Sequence, residues 1–270
     1  MKSVTVGVAI MVNNMEDVIP ACISSVNWAD GVYVFDDHCT DDTITNVKKH
    51  CTTKLEVEAS PFKKIAFEHG ELEARNYVIE QAFKRLGTKV LVLLDADELL
   101  SDTIRPVIES AFSNKSIESI AFNIWHLYTE REYIHVWETS INGIRMVDPH
   151  IRVITKNIRF HARYSDGSHP GIKFNEHTLC LHGAYHFHVK YMKKLALPNY
   201  SFHFLPKYFT EEEVTPFLKT LPFTLPSDTQ KSLSLLQESK NNIEYAHHTE
   251  KRTILSDPKE ALIHPRDIKT

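Results

Sequence analysis

Apolar positions in the first hundred residues follow two alternating patterns. Residues 3–12 contain the run Val4-Thr-Val-Gly-Val-Ala-Ile-Met-Val12, as expected of a strand buried on both faces. From Met15 to Val26 the apolar Ile19, Cys22, Ile23 and Val26 recur at helical spacing. Residues 31–36 predict a second strand. Asp41-Asp42-Thr43 then opens a helix, where acidic side chains meet the positive end of the helix dipole. Leu55 to Ala59 alternates like a half-buried strand, and Glu71 to Leu86 places Leu72, Arg75, Ile79, Ala82, Phe83 and Leu86 at helical spacing. Residues 89–95 return to strand, and Ser101 caps another helix. Strands alternating with helices predict an α/β fold with a mostly parallel central sheet flanked by helices.

After residue 118 the texture changes. Ser119 to Leu127, Tyr133 to Trp137, Ile151 to Phe160 and Cys180 to Val189 read as strands joined by Gly, Asp and Pro loops. They predict antiparallel strands that extend the sheet and cover a site. From about residue 195 Pro198, Pro206, Pro216, Pro222 and Pro226 punctuate the chain. Thr210-Glu-Glu-Glu213 opens a helix as a capping box, Ser232 to Glu244 reads as a second helix, and Ser256 to Thr270 is polar and loosely held. The predicted division is a main unit over residues 1–195, in halves of about 1–100 and 101–195, and a small helical C-terminal extension over 196–270.

Composition narrows the class. With 270 residues and 42% apolar content the chain can bury a full core, and a formal charge of −4 provides no basic field for nucleic acid. Cys22, Cys39, Cys51 and Cys180 form no CxxC pair and no zinc-like spacing, so free thiols in a reducing cytosol are expected. The first apolar run is too short to span a bilayer, and the expectation is a soluble, cytoplasmic protein.

The chemistry concentrates where apolar runs end. Val32-Tyr-Val-Phe runs into Asp36-Asp37, and Val90-Leu-Val-Leu-Leu runs into Asp95-Ala96-Asp97-Glu98. Buried parallel strands ending in carboxylates deliver charge to the edge where open α/β sheets bind ligands. Asp95-Ala96-Asp97 is a DxD sequence whose two carboxylates, on an extended segment, point the same way. Such hard oxygen ligands suit Mg²⁺ or Mn²⁺ bridging substrate phosphates.

Four blocks, in order, resemble the family 2 glycosyltransferases of GT-A fold, which are inverting enzymes. They are Asn14-Met-Glu-Asp with Ile19-Pro-Ala-Cys-Ile-Ser-Ser25, Asp36-Asp-His-Cys-Thr-Asp-Asp-Thr43, Gly70-Glu-Leu-Glu-Ala-Arg-Asn76, and Asp95-Ala-Asp-Glu98. The later Asp148-Pro-His-Ile-Arg152 and Tyr185-His-Phe-His188 resemble the lipopolysaccharide-core branch more loosely. The resemblance implies a nucleotide-diphosphate sugar donor, UDP-sugar favoured, and a Mn²⁺ or Mg²⁺ cofactor. It implies a glycan, lipid-linked or protein acceptor, and leaves peripheral membrane association and self-association open. It places Asp37 on the nucleotide base with Asp36 in support, Arg75 on the base or diphosphate, Asp95 on the ribose and Asp97 on the metal; the planar fork of Arg152 can bind the diphosphate. His186 or His188 would be a later metal ligand or diphosphate contact. Cys39 stands where the family usually has Ser, a weaker donor.

Arg75 can also pair with Asp36 or Asp37, Arg152 with a carboxylate, and either histidine can be structural. Asp41 and Asp42 read first as a helix start. Inverting transfer needs a base on the far face of the sugar. Asp148 is the first candidate, with Glu138 and Asp166 open, and Trp137 is the best candidate for stacking an acceptor. A DxD phosphatase is disfavoured because the Asp36-Asp37 pair precedes the DxD. A dinucleotide oxidoreductase is disfavoured because no G-x-G-x-x-G follows the first strand. A non-catalytic sugar-nucleotide binder stays open as the second reading.

Overall fold

A computed structural model describes residues 4–66, 70–113, 116–135, 138–141, 143–162, 170–190, 192 and 215–236. The first half alternates as predicted: β1 (Val6–Val12), α1 (Ile19–Ser25), β2 (Gly31–Asp36), α2 (Thr43–His50), β3 (Leu55–Ala59), α3 (Glu71–Leu86) and β4 (Val90–Asp95). β1 lies between β2 and β4, and β3 follows β2, all parallel. α1 is shorter than expected, because Pro20 is tolerated only in a first turn and residues 16–18 form a turn before it.

The second half adds β5 (Glu98–Leu100), a 3₁₀ turn (Asp102–Ile104), α4 (Arg105–Ala111), β6 (Ser119–Leu127), β7 (Glu132–Ile134), β8 (Glu138–Ile141), β9 (Ile144–Val147), β10 (Pro149–Thr155) and β11 (Thr178–His188). Ser101 caps the 3₁₀ turn, accepting the Thr103 N–H. β10 runs antiparallel between β4 and β6, and β11 lies parallel to β6 and antiparallel to β5. The antiparallel extension expected from the changed texture is therefore present. β10 ends at Thr155 rather than Phe160 because residues 156–157 turn the chain; Ile158 and Phe160 still pack on the core.

Strand alternation divides the core between the two faces of the sheet. Val8, Ile10, Val92 and Leu94 pack with Ile19, Cys22 and Ile23 of α1, whereas Ala9, Leu91 and Leu93 pack with Val78, Ile79 and Ala82 of α3. α3 closes on Gly87, whose φ of 68° is the left-handed C-cap that glycine adopts without strain.

Residues 215–236 join this same body. β12 (Leu218–Thr220) pairs antiparallel with β7, and α5 (Ser227–Leu233) brings Leu233 into the α1 face of the core. The helix expected over Ser232–Glu244 is not found there: the observed helix ends at Leu233 and residues 234–236 are non-helical, while the rest of that span lies outside the described residues, as does Thr210–Glu213. Phe223 meets the fully buried Trp125 edge-on at 5.0 Å between centroids, and the Trp125 indole N–H donates to the Gly183 carbonyl at 2.7 Å. Phe223→Ala is expected to cost about 1–2 kcal/mol of this half-buried aromatic contact, read as a Tm lowered by several degrees. An unchanged Tm would show that residues 215–236 add nothing to the fold. No helix among the described residues is long and apolar enough to cross a membrane, and none of the four cysteines is in a disulfide.

Candidate active site

The two acidic strand ends meet at one edge of the sheet. Asp36 stands opposite Val12, and Asp95 opposite Met11 on the other side of β1. Two strand spacings, about 9–10 Å, separate them. Asp37 continues from β2, its N–H donating to the Val12 carbonyl at 2.9 Å. Its Oδ2 accepts the Ala66 N–H at 2.7 Å, and its buried Oδ1 has no aligned hydrogen-bond partner among the described residues. Burial raises the Asp37 carboxyl even though the Ala66 N–H and Ser60 hydroxyl favour its charge.

Asp36 accepts the Cys39 N–H at 2.8 Å. The Cys39 thiol donates to the Val12 carbonyl at 3.5 Å and accepts the Asn14 N–H at 3.4 Å, and burial pushes it up to about 12. The thiol therefore ties two loops together as a protonated group. Asp41 holds the start of α2, accepting the Thr43 N–H at 3.0 Å, in agreement with the helix-start reading.

Arg75, on α3, pairs with Asp95 at 3.0 Å and Glu71 at 2.8 Å, and lies over the Phe160 ring. It reaches the DxD strand rather than Asp36 or Asp37. Arg152 comes from the other side. Ile151 pairs with Ala121 and Val153 with Ile120, so Arg152 is the extra residue of a bulge in β10. Bulges re-aim side chains, and here the guanidinium lies 3.3 Å from Asp95 and against Glu98. Burial pushes Asp95 up, but the two arginines outweigh it and hold the carboxyl well below the usual range. Glu98 Oε2 accepts the Asp95 N–H at 3.0 Å. His186, fully buried, sits 3.1 Å from the same oxygen but off the hydrogen-bond axis, so neither ring nitrogen has an aligned partner among the described residues.

The segment Asp95-Ala96-Asp97 is not extended as expected. Residues 96–97 form a tight turn between β4 and β5, which separates the two carboxylates and gives them different partners. Asp97 lies 3.0 Å from His188 Nε2. His188 stands opposite Glu98 on β5 and opposite His126 on β6. Its Nδ1 is 2.9 Å from His126 Nδ1, and His126 Nε2 is 2.7 Å from Asp148 Oδ2. Asp148 Oδ1 is 3.2 Å from His150 Nε2. The string therefore runs Asp97, His188, His126, Asp148, His150. Its first three hydrogen bonds need three protons, and two neutral imidazoles carry only two. One extra proton must sit on the string, shared as an imidazolium. Burial disfavours charge on both rings, but Asp97 outweighs it at His188, which is raised, whereas His126 is lowered.

Asp148 turns at φ 39° between β9 and β10, left-handed and directly before a proline, and such strained residues cluster at functional sites. Glu138 is paired with Arg145 in the β8–β9 hairpin. Trp137, Asp166 and His169 lie outside the described residues. Sequence reasoning missed His126 and His150. The signal for His126 was a polar ring near the end of an otherwise apolar nine-residue run, Ser119-Ile-Ala-Phe-Asn-Ile-Trp-His-Leu127.

No cluster of three potential ligands is formed among the described residues. With the proton between them displaced, Asp97 and His188 nevertheless lie at the spacing of two adjacent ligands about a six-coordinate ion with bonds of about 2.0–2.1 Å. Such ions keep waters and take substrate phosphates for the remaining positions, so the residues present fit Mg²⁺ or Mn²⁺.

No protein-family model matches the chain, and no curated protein does. Among solved structures it is similar to residues 1–349 of TarS from S. aureus, at 14% identity and TM-score 0.46 over 68% of this chain and 60% of that one. The TarS structure with UDP-GlcNAc gives 15%, 0.45, 69% and 58%. Glucosyl-3-phosphoglycerate synthase from Mycobacterium tuberculosis, with Mn²⁺, UDP and glucosyl-3-phosphoglycerate, gives 17% identity and TM-score 0.36 over 45% of this chain and 44% of that one. The chain thus spans under two thirds of each.

Proposed function

We propose that this chain is a metal-dependent inverting glycosyltransferase, moving a sugar from a nucleotide-diphosphate donor to an acceptor hydroxyl of a glycan, lipid-linked or protein substrate. The observation that carries the reading is the shared edge: Asp36-Asp37 and Asp95-Asp97 end parallel strands on either side of β1, with one Asp37 oxygen lacking an aligned hydrogen-bond partner among the described residues. In this reading Asp37 accepts an N–H of the nucleotide base and Asp36 holds its loop. Asp95, fixed by Arg75 and Arg152, faces the ribose. Asp97 and His188 would hold the Mn²⁺ or Mg²⁺, while His186 stands behind them on Glu98. The bound ion supplies positive charge where the departing diphosphate becomes more negative. Arg75, one-fifth exposed at its side chain, is a protein cation placed to meet the donor.

The test is a panel of UDP-, GDP- and dTDP-sugars, each with Mn²⁺, scored by thermal unfolding. Donor at a hundred times its Kd stabilises the native state by about 2.7 kcal/mol, which raises Tm by roughly 5–10 °C at this size. A UDP-sugar is expected to give the largest rise, abolished by EDTA. A panel with no shift in any combination would remove the nucleotide-sugar reading.

A further inference from the structure

Asp148, the first candidate base from sequence, is buried, and both its oxygens are engaged: Oδ2 by His126 at 2.7 Å and Oδ1 by His150 at 3.2 Å. Burial raises its carboxyl, but His150 and His126 outweigh that and hold it well below the usual carboxylate range. A carboxylate so stabilised is a weak proton acceptor. His150 differs. Its side chain is 33% exposed, against 8% for Asp148 and for His126, so it is the solvent-open end of the string. With Nε2 facing Asp148, the ionised carboxylate selects the tautomer protonated at Nε2 and leaves the Nδ1 lone pair free.

His150 also stands in the right place. β10 runs antiparallel to β4 with Val153 opposite Val92, so its first residues lie at the carboxyl end of β4. Arg152, two residues on, reaches Asp95. His150 therefore stands at the acidic edge from the sheet's second half, across β4 from Asp36 and Asp37.

We propose that His150 is the general base, oriented by Asp148, which makes Asp148 a positioning residue. This rests on the glycosyltransferase reading. The acceptor O–H gives its proton to His150 Nδ1, and its oxygen electron pair forms the bond to the anomeric carbon. The anomeric C–O bond to the diphosphate breaks, and its electron pair leaves with the nucleoside diphosphate. Asp148 stabilises the imidazolium that forms, as carboxylates do in hydrolase triads. The titratable groups facing His150 are Asp148, His126 on β6 and His186 on β11.

The test measures UDP release from the UDP-sugar with the largest thermal shift, with water and free hexoses as acceptors, alongside donor Kd. His150→Gln is expected to lower turnover by about 10²–10⁴-fold and leave donor Kd within twofold. Added imidazole is expected to restore part of the activity of His150→Ala, which a merely structural role would not allow. Turnover within threefold of wild type in His150→Gln overturns the assignment while leaving the glycosyltransferase reading intact. A wild-type chain that binds donor but releases no UDP with any acceptor overturns transfer, and the base with it.

Discussion

Asp97→Asn is expected to lower sugar transfer by about a thousandfold or more, equivalent to roughly 4 kcal/mol of transition-state stabilisation. The carboxylate stands 3.0 Å from His188, and the pair forms one edge of the proposed ion site. Burial raises Asp97, but His188 outweighs it and holds the carboxyl low, so the wild-type group is charged and ready to accept a cation. The amide keeps the size of the side chain but removes that charge, so Mn²⁺-dependent stabilisation by the donor should disappear. The far-UV CD spectrum is expected to be unchanged, because the neighbouring ion pairs of Arg152 do not involve Asp97. Calorimetric titration of donor with and without Mn²⁺ measures the effect. Undiminished transfer in this variant would remove Asp97 from the metal site.

Arg152→Met is expected to cost about 3–5 kcal/mol of folding stability, the typical penalty for stranding a buried charge. Its side chain is 8% exposed and Glu98 is 2% exposed, so water cannot replace the lost guanidinium. Glu98 would keep only His186 and the Asp95 N–H, and Asp95 would keep Arg75. The pH dependence follows from the same contacts. Burial raises both carboxyls, but the cations outweigh it, so both folded-state pKa values lie below the unfolded ones. Their contribution is complete above the unfolded range of about pH 4 and is lost as pH falls toward the lower folded-state values. Urea unfolding of the wild type between pH 3 and 7 should show that acid loss, and Arg152→Met should show a flatter curve from a lower starting point. Equal stability at pH 7 would mean that the ion pair is dispensable.

Much of this was legible because it is local. A continuous run of branched aliphatic residues reads as a strand buried on both faces, and Asp36 and Asp95 had to fall at strand tips because the apolar runs end there. The start of α2 at Thr43, held by Asp41, and the full length of α3 follow from helix-end preferences within a few residues. The turn at Ala96-Asp97 was less accessible. A short acidic segment reads equally well as extended or turned, and β5, only three residues long, is stabilised by pairing with β11 some ninety residues later.

The partners of the site lay beyond local reading altogether. His126 meets His188 across 62 residues and Asp148 across 22, and Arg152 meets Asp95 across 57. Each contact depends on the register of strands that come together only when the sheet closes, and on one bulged residue in β10. Residue order and hydrophobic period thus determined where the carboxylates would stand. Only the assembled sheet decided which cation or imidazole faces each of them, because a shift of one residue in a strand turns its side chains to the opposite face.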